Sequence, residues 1–160
     1  QQARPAGYII YNSKKLDTLE EYYTQFASEN FLKSETVLVE DDALKIESPK
    51  RKIKPINFTS QKNNEILLVS ESDTDGILVL TDTNYPGWTA YIDDRKAKIY
   101  YVNLSQRGIF FPKGNHDVKF IFHSVSFELG KKITVSALLI ISLAVFLSSS
   151  VSRRRDFGKG

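Results

Sequence analysis

Short apolar runs alternate with clusters of turn-forming residues along most of the chain, and one long uncharged run follows near the end. Gly7 to Tyr11 is β-branched and aromatic. Asp17-Thr18-Leu19-Glu20 then has the spacing of a capping box, which predicts a helix to about Ala27 with Leu19, Tyr22, Tyr23 and Phe26 on one face. Further runs at Val37–Val39, Ile53–Phe58, Ile66–Val69, Ile77–Leu80, Trp88–Ile92, Ile99–Val102, Ile109–Phe111 and Val118–Phe122 predict short strands. They are separated by Lys62-Asn63-Asn64, Ser72-Asp73-Thr74-Asp75-Gly76, Tyr85-Pro86-Gly87, Asp93-Asp94 and Pro112-Lys113-Gly114-Asn115, all turn chemistry. Connections this short imply antiparallel neighbours. The expected fold is mainly β, an antiparallel β-sandwich with one short N-terminal helix. The runs ILLV (66–69) and ILVL (77–80), apolar at every position, are expected to be central strands covered on both faces, the helix supplying one cover.

From Ile133 to Val151 the sequence ITVSALLIISLAVFLSSSV has nineteen residues and no charge. As a helix it would be about 28 Å long, close to the roughly 30 Å hydrocarbon core of a bilayer. A single transmembrane α-helix is therefore expected to follow the sandwich. The alternative, a helix buried in the core, would need a small β-rich domain to envelop the whole run. Arg153, Arg154 and Arg155 close the run and set its orientation, with the C-terminus in the cytoplasm. The expected organisation is an extracytoplasmic domain over 1–130, a transmembrane helix over 131–152 and a cytoplasmic basic tail over 153–160. The last strand ends about ten residues before the run, which keeps the domain close to the lipid. With no methionine at position 1 and an opening Gln1-Gln2-Ala3-Arg4-Pro5, the chain reads as a piece of a longer protein.

Charge sharpens this picture. The formal net charge is +3, and the tail alone supplies it, Arg153, Arg154, Arg155 and Lys159 against Asp156. The remainder is neutral, which argues against nucleic acid as a partner, because phosphate binding needs a basic face on the folded domain. The run Lys50-Arg51-Lys52 reads as a solvated loop, with lipid headgroup contact as the alternative. Zero cysteines exclude a disulfide scaffold, thiolate zinc sites and cysteine nucleophiles.

Candidate chemistry is sparse. His116 and His123 are an odd number apart and point to opposite faces of a regular strand, so they cannot share a metal. The aspartates at 73, 75, 82, 93 and 94 leave only a weak calcium reading at turns. Neither a Ser-His-Asp order nor a phosphate-cradling glycine loop is present. No metal site, catalytic residue or cofactor is expected. The most distinctive stretch is Thr81-Asp82-Thr83-Asn84-Tyr85-Pro86-Gly87-Trp88, holding the sole tryptophan. As a glycan platform, Tyr85 and Trp88 would stack on a sugar ring while Asp82, Asn103 and Arg107 hydrogen-bond its hydroxyls, with His116 a further candidate. As plain structure, Trp88, Ala90 and Ile92 would alternate into the core, Asp82 would cap turn amides and Arg107-Gly108 would shape a turn.

The stretch from Leu78 to Gly130, followed by an apolar helix, resembles the C-terminal end of YfhO-family bacterial multispanning membrane proteins. Their pattern, D-x-x-Y-P-G-W-x-A-x-x-D-G, then N, then R-G, then P-x-G-x-H-x-V and S-F-x-x-G, falls on Asp82, Tyr85 to Trp88, Ala90, Asp93, Asn103, Arg107-Gly108, Pro112, Gly114, His116, Val118, Ser126-Phe127 and Gly130. Arg4 to Tyr8 matches the family's entry strand more loosely. Asp94 departs from the usual glycine, and Phe122-His123 from an aromatic-proline pair. The resemblance implies a parent like the GT-C glycosyltransferases of the bacterial cytoplasmic membrane, which move sugars from polyprenyl-phosphate donors to cell-surface glycopolymers such as teichoic acid. Their catalytic acids lie among upstream membrane helices missing here, so this piece would be non-catalytic and assist by acceptor binding or bracing. The alternative is a membrane-anchored structural or protein-binding ectodomain without glycan contact.

Overall fold

A computed structural model describes residues 5–28, 31, 34–47 and 51–156, of which 125, 126 and 144–156 are described as backbone only. Arg4, Lys50 and residues 157–160, singled out above, lie outside the described residues. The chain divides into two compact units, Gln1–His123 and Ser124–Gly160.

The first unit is a two-sheet sandwich. Strands β1 (Gly7–Ile10), β2 (Ser13–Lys15), β3 (Val37–Val39), β4 (Lys54–Pro55), β7 (Gly76–Thr83), β10 (Tyr100–Val102) and β11 (Gln106–Phe111) form a seven-stranded sheet in the order β2-β3-β10-β11-β7-β1-β4. Strands β5 (Phe58–Lys62), β6 (Glu65–Ser72), β8 (Trp88–Ile92), β9 (Arg95–Ala97) and β12 (Gly114–Phe122) form a second sheet in the order β5-β6-β12-β8-β9. Ile9, Leu78, Leu80, Ile109 and Phe111 of the first meet Ile66, Leu68, Ala90, Val118 and Phe120 of the second in one core. A second cluster on the far face of the larger sheet joins Tyr8, Ile10, Val37, Val39, Ile77, Val79 and Val102 to Leu44 of a short 3-10 turn (Asp42–Leu44).

Two-sided cover explains β7, where Gly76 to Leu80 are all buried, as the unbroken apolar run requires. The other unbroken run behaves differently. In β6, Ile66 and Leu68 are buried, Leu67 is half-buried and Val69 is exposed, because none of the described residues covers the outer face of the smaller sheet there. The ILLV segment is thus a one-faced strand, contrary to expectation.

Helix α1 spans Leu19–Ala27 and is capped one residue later than the sequence spacing suggested. The Thr18 hydroxyl accepts from the Glu21 N–H at 3.2 Å, and the Glu21 carboxylate accepts from the Thr18 N–H at 3.3 Å. Only Tyr22 of its apolar face is buried, with Leu16, Phe31 and Leu38; Leu19, Tyr23 and Phe26 are exposed. The cover on the far side of the larger sheet comes chiefly from Leu44, Ile46 and Ile53 in the loops after β3, not from α1. The helix instead bridges β2 to β3, the only parallel pair among the described strands.

Most of the short connections do not join neighbours. Lys62 to Glu65 and Ile92 to Arg95 close true hairpins, β5–β6 and β8–β9. The turns after β6, β7 and β11 instead carry the chain from one sheet to the other. Two of these corners are tied together, the Asp75 carboxylate accepting from the Lys113 N–H at 2.8 Å. The Asp93-Asp94 hairpin keeps its two-residue form without glycine, at φ 48° and 61°. Its strain is offset by Asp93, whose carboxylate accepts from the Asp117 N–H at 3.0 Å.

In the second unit a continuous helix, α2, spans Val125–Asp156. Among the described residues no helix is long and apolar enough to cross a membrane. Side chains of the uncharged run Ile133–Val151 are described only as far as Leu143, and within that part Leu138, Leu139, Ile140 and Ile141 are all exposed.

Candidate functional site

The residues nominated from the sequence fall into three places. Asp82, Tyr85, Trp88 and Arg107 gather where β7 ends, β8 begins and β11 begins. The register between β7 and β11 steps from Leu80–Arg107 to Thr83–Gln106, leaving Thr81 and Asp82 without opposite partners. Such an irregularity re-aims side chains. Here the Asp82 carboxylate lies 3.1 Å from Arg107 Nη2.

Arg107 shares its inward parity with Ile109 and Phe111, so a guanidinium is sunk into the sandwich core. It is 1% exposed, with its Cζ 4.0 Å from the Trp88 ring centroid and 6.0 Å from that of Phe120. Ring stacking and one carboxylate compensate its desolvation only in part, since Nε and Nη1 are buried with no hydrogen-bond partner among the described residues. Burial pulls its pKa below the ordinary arginine value while Asp82 pushes it back up. Asp82 is 56% exposed and closes the stack toward solvent.

The turn that carries Tyr85 is tightly held. Asn84 N–H donates to the Ser105 carbonyl at 2.6 Å, and His123 N–H donates to the Gly87 carbonyl at 2.9 Å. Gly87 sits at φ 115°, where a Cβ would lie 2.6 Å from the His123 carbonyl oxygen. Trp88 pairs in register with Phe122, ring centroids 5.4 Å apart, and Tyr85 lies 6.2 Å from the same Phe122 ring. Tyr85 itself is 64% exposed. The surface of this cluster is therefore an aromatic ring on a tightly held turn and a carboxylate at the end of β7, above a buried arginine, with Trp88 half-buried beneath.

Asn103 belongs elsewhere. At φ 49° it is buried; its Oδ1 accepts from the Leu38 N–H at 3.0 Å and its Nδ2 donates to Gln106 Oε1 at 2.9 Å and the Tyr8 hydroxyl at 3.3 Å. These bonds pin the β10–β11 turn onto β3. Both Asn103 and Arg107 are thus out of reach of a surface ligand in this conformation.

His116 lies at the opposite end of β12. Its Nδ1 is 2.6 Å from the Asp93 carboxylate and its Nε2 is 3.2 Å from the Lys113 carbonyl, while its ring meets Phe111 edge-on at 5.4 Å. The hydrogen bond with Asp93 raises the His116 pKa and lowers that of Asp93. Among the described residues, no group of three or more His, Asp or Glu side chains is arranged to hold a metal ion.

The spacing Asp82-x-x-Tyr85-Pro86-Gly87-Trp88 thus marks a built corner in which Arg107 is the buried centre. Residues 24–134, more than half of the chain, match the family described as "Bacterial membrane protein YfhO". The chain belongs to the YfhO family. No curated protein and no solved structure matches it. The matched span takes in α1 from Thr24, most of the sandwich and the start of α2 in this YfhO-family chain. Sequence reasoning missed Phe122, whose ring anchors both Tyr85 and Trp88, and Asp93 as the partner of His116. Phe122 was findable, because antiparallel pairing of Trp88–Ile92 with Val118–Phe122 sets it opposite Trp88.

Proposed function

We propose that this YfhO-family chain is an extracytoplasmic β-sandwich anchored by a final membrane helix, the non-catalytic end of a GT-C-like glycosyltransferase of the bacterial cytoplasmic membrane. It assists sugar transfer from a polyprenyl-phosphate donor to a cell-surface glycopolymer by holding the acceptor or bracing upstream membrane helices. The carrying observation is the four consecutive exposed apolar residues Leu138 to Ile141, in a chain of a membrane-protein family. Four consecutive helical residues cover a full turn, so α2 is apolar on every side there, and such a helix is stable only when enclosed by protein or lipid. Leaving each such side chain in water forgoes roughly 1.5–3 kcal/mol. Lipid is the enclosure favoured by the nineteen uncharged residues and the arginines after them.

Glycan contact is supported at Tyr85, whose ring stands in solvent on a fixed turn, and at Asp82, whose partly exposed carboxylate lies at the end of β7 before it. The burial of Arg107 and Asn103 favours bracing for those two residues. Incubated with a polyprenyl-phosphate sugar and a glycopolymer acceptor in detergent, this chain alone should transfer no sugar. Robust transfer would overturn the division of labour. Tyr85→Ala should weaken retention on immobilised acceptor without lowering the melting temperature; unchanged retention would leave bracing as the role.

A further inference from the structure

An open cleft of about 390 Å³ lies at the end of the sandwich marked by His116, where the β8–β9 hairpin stands beside β10 and β11. Arg95, Lys96 and Lys98 border it together with His116, and its apolar part includes Tyr100 and the exposed ring of Phe110. Lys98 is engaged by Asp41 at 2.8 Å and lies 4.5 Å from the Tyr100 ring centroid, and His116 is engaged by Asp93. Arg95 and Lys96 have no ion-pair partner within 4.0 Å among the described residues. Cations beside exposed aromatic rings recognise negative charge on a ligand that also presents a flat apolar face.

We propose that this cleft binds an anionic glycan, its phosphate or carboxylate meeting Arg95 and Lys96 while a sugar ring lies against Phe110. This rests on the reading of the domain as a holder of glycopolymer acceptor and gives that acceptor a charge. A glycan is favoured over a lipid headgroup because the cleft sets the exposed ring of Phe110, a stacking face for a sugar, beside its cations.

The test is calorimetric titration of the whole chain in phosphatidylcholine nanodiscs with four probes. These are a phosphodiester-linked oligosaccharide, the uncharged oligosaccharide of the same sugar, inorganic phosphate, and nanodiscs containing phosphatidylglycerol. Binding is expected for the first alone, weakened about tenfold by Arg95→Ser with Lys96→Ser and about threefold by Phe110→Thr. Equal binding of the uncharged sugar, of inorganic phosphate or of the anionic lipid overturns the proposal, as does no binding at all. The two cations also sit on an edge strand, where charge deters strand addition. If their removal causes self-association while affinity is unchanged, edge protection is their role and the proposal fails. A chain that spans the bilayer yet binds no probe sinks this inference and leaves the anchored-domain reading standing.

Discussion

The sandwich holds two cation–carboxylate pairs near opposite ends of β8 and β12, and they are built on different physics. Arg107 and Asp82 are 3.1 Å apart, with the arginine sealed between Trp88 and Phe120 and two of its nitrogens unpartnered among the described residues. His116 and Asp93 are 2.6 Å apart near the surface, and each also meets a backbone group, the Lys113 carbonyl for His116 and the Asp117 N–H for Asp93. In the first pair a charge has been desolvated at a cost that stacking and one half-exposed carboxylate recover in part. In the second, the bond fixes a strained hairpin and costs little burial. Equal residue chemistry therefore yields a packing element at one end and an adjustable surface contact at the other.

The contrast breaks most visibly at Arg107. Arg107→Ala removes a stacked side chain from the core and should cost about 3–4 kcal/mol in urea unfolding. Arg107→Met keeps the volume without the charge and should recover most of that loss. An Arg107→Met protein as unstable as Arg107→Ala would mean that charge pairing, not packing, holds this end. Asp82→Ala should cost about 1–2 kcal/mol, less than a fully buried pair because the carboxylate is more than half exposed.

At the other end the effect is smaller and follows pH. The folded-state pKa of His116 lies above 6.5, so its stabilisation is complete below that value and fades as pH climbs through the raised pKa. The folded-state pKa of Asp93 lies below 3.8, so its part is present above that value and is lost on acidification through the lowered pKa. The pair is strongest between these limits. Wild-type melting temperature should fall from about pH 6 to about pH 8.5, and Asp93→Asn should flatten that fall. An equal slope in the variant would remove the pair from the account. The smallest effect belongs to Tyr85→Ala, expected within about 0.5 kcal/mol of wild type because the ring is mostly in solvent.

Local patterning carried the element types well, since alternation and unbroken runs report directly on which faces are covered. The pattern in ILVL matched two covered faces in β7; the same pattern in ILLV did not, because cover comes from whichever segments pack there and the outer face of β6 received none from the described residues. Loop length proved ambiguous for a related reason. A four-residue turn can close a hairpin or round a corner between sheets, and only long-range pairing decides which. The parallel β2–β3 pair escaped notice because Ser13–Lys15 has no apolar signature. For the site, residue types were legible and neighbourhoods were not. Asp82, Tyr85, Trp88 and Arg107 converge through the irregular β7–β11 register, whereas Asn103 serves a turn and His116 sits at the other end.

The claim on which the function rests is that residues Ile133–Val151 cross the bilayer with the sandwich outside. The chain has no cysteine, so single substitutions report cleanly. Asn63→Cys, in the exposed β5–β6 turn, should react with a membrane-impermeant maleimide added to intact cells, and Lys159→Cys should react only after permeabilisation. Labelling of Lys159→Cys from outside, or of neither position until the cells are opened, would contradict the topology and the acceptor-holding role built on it.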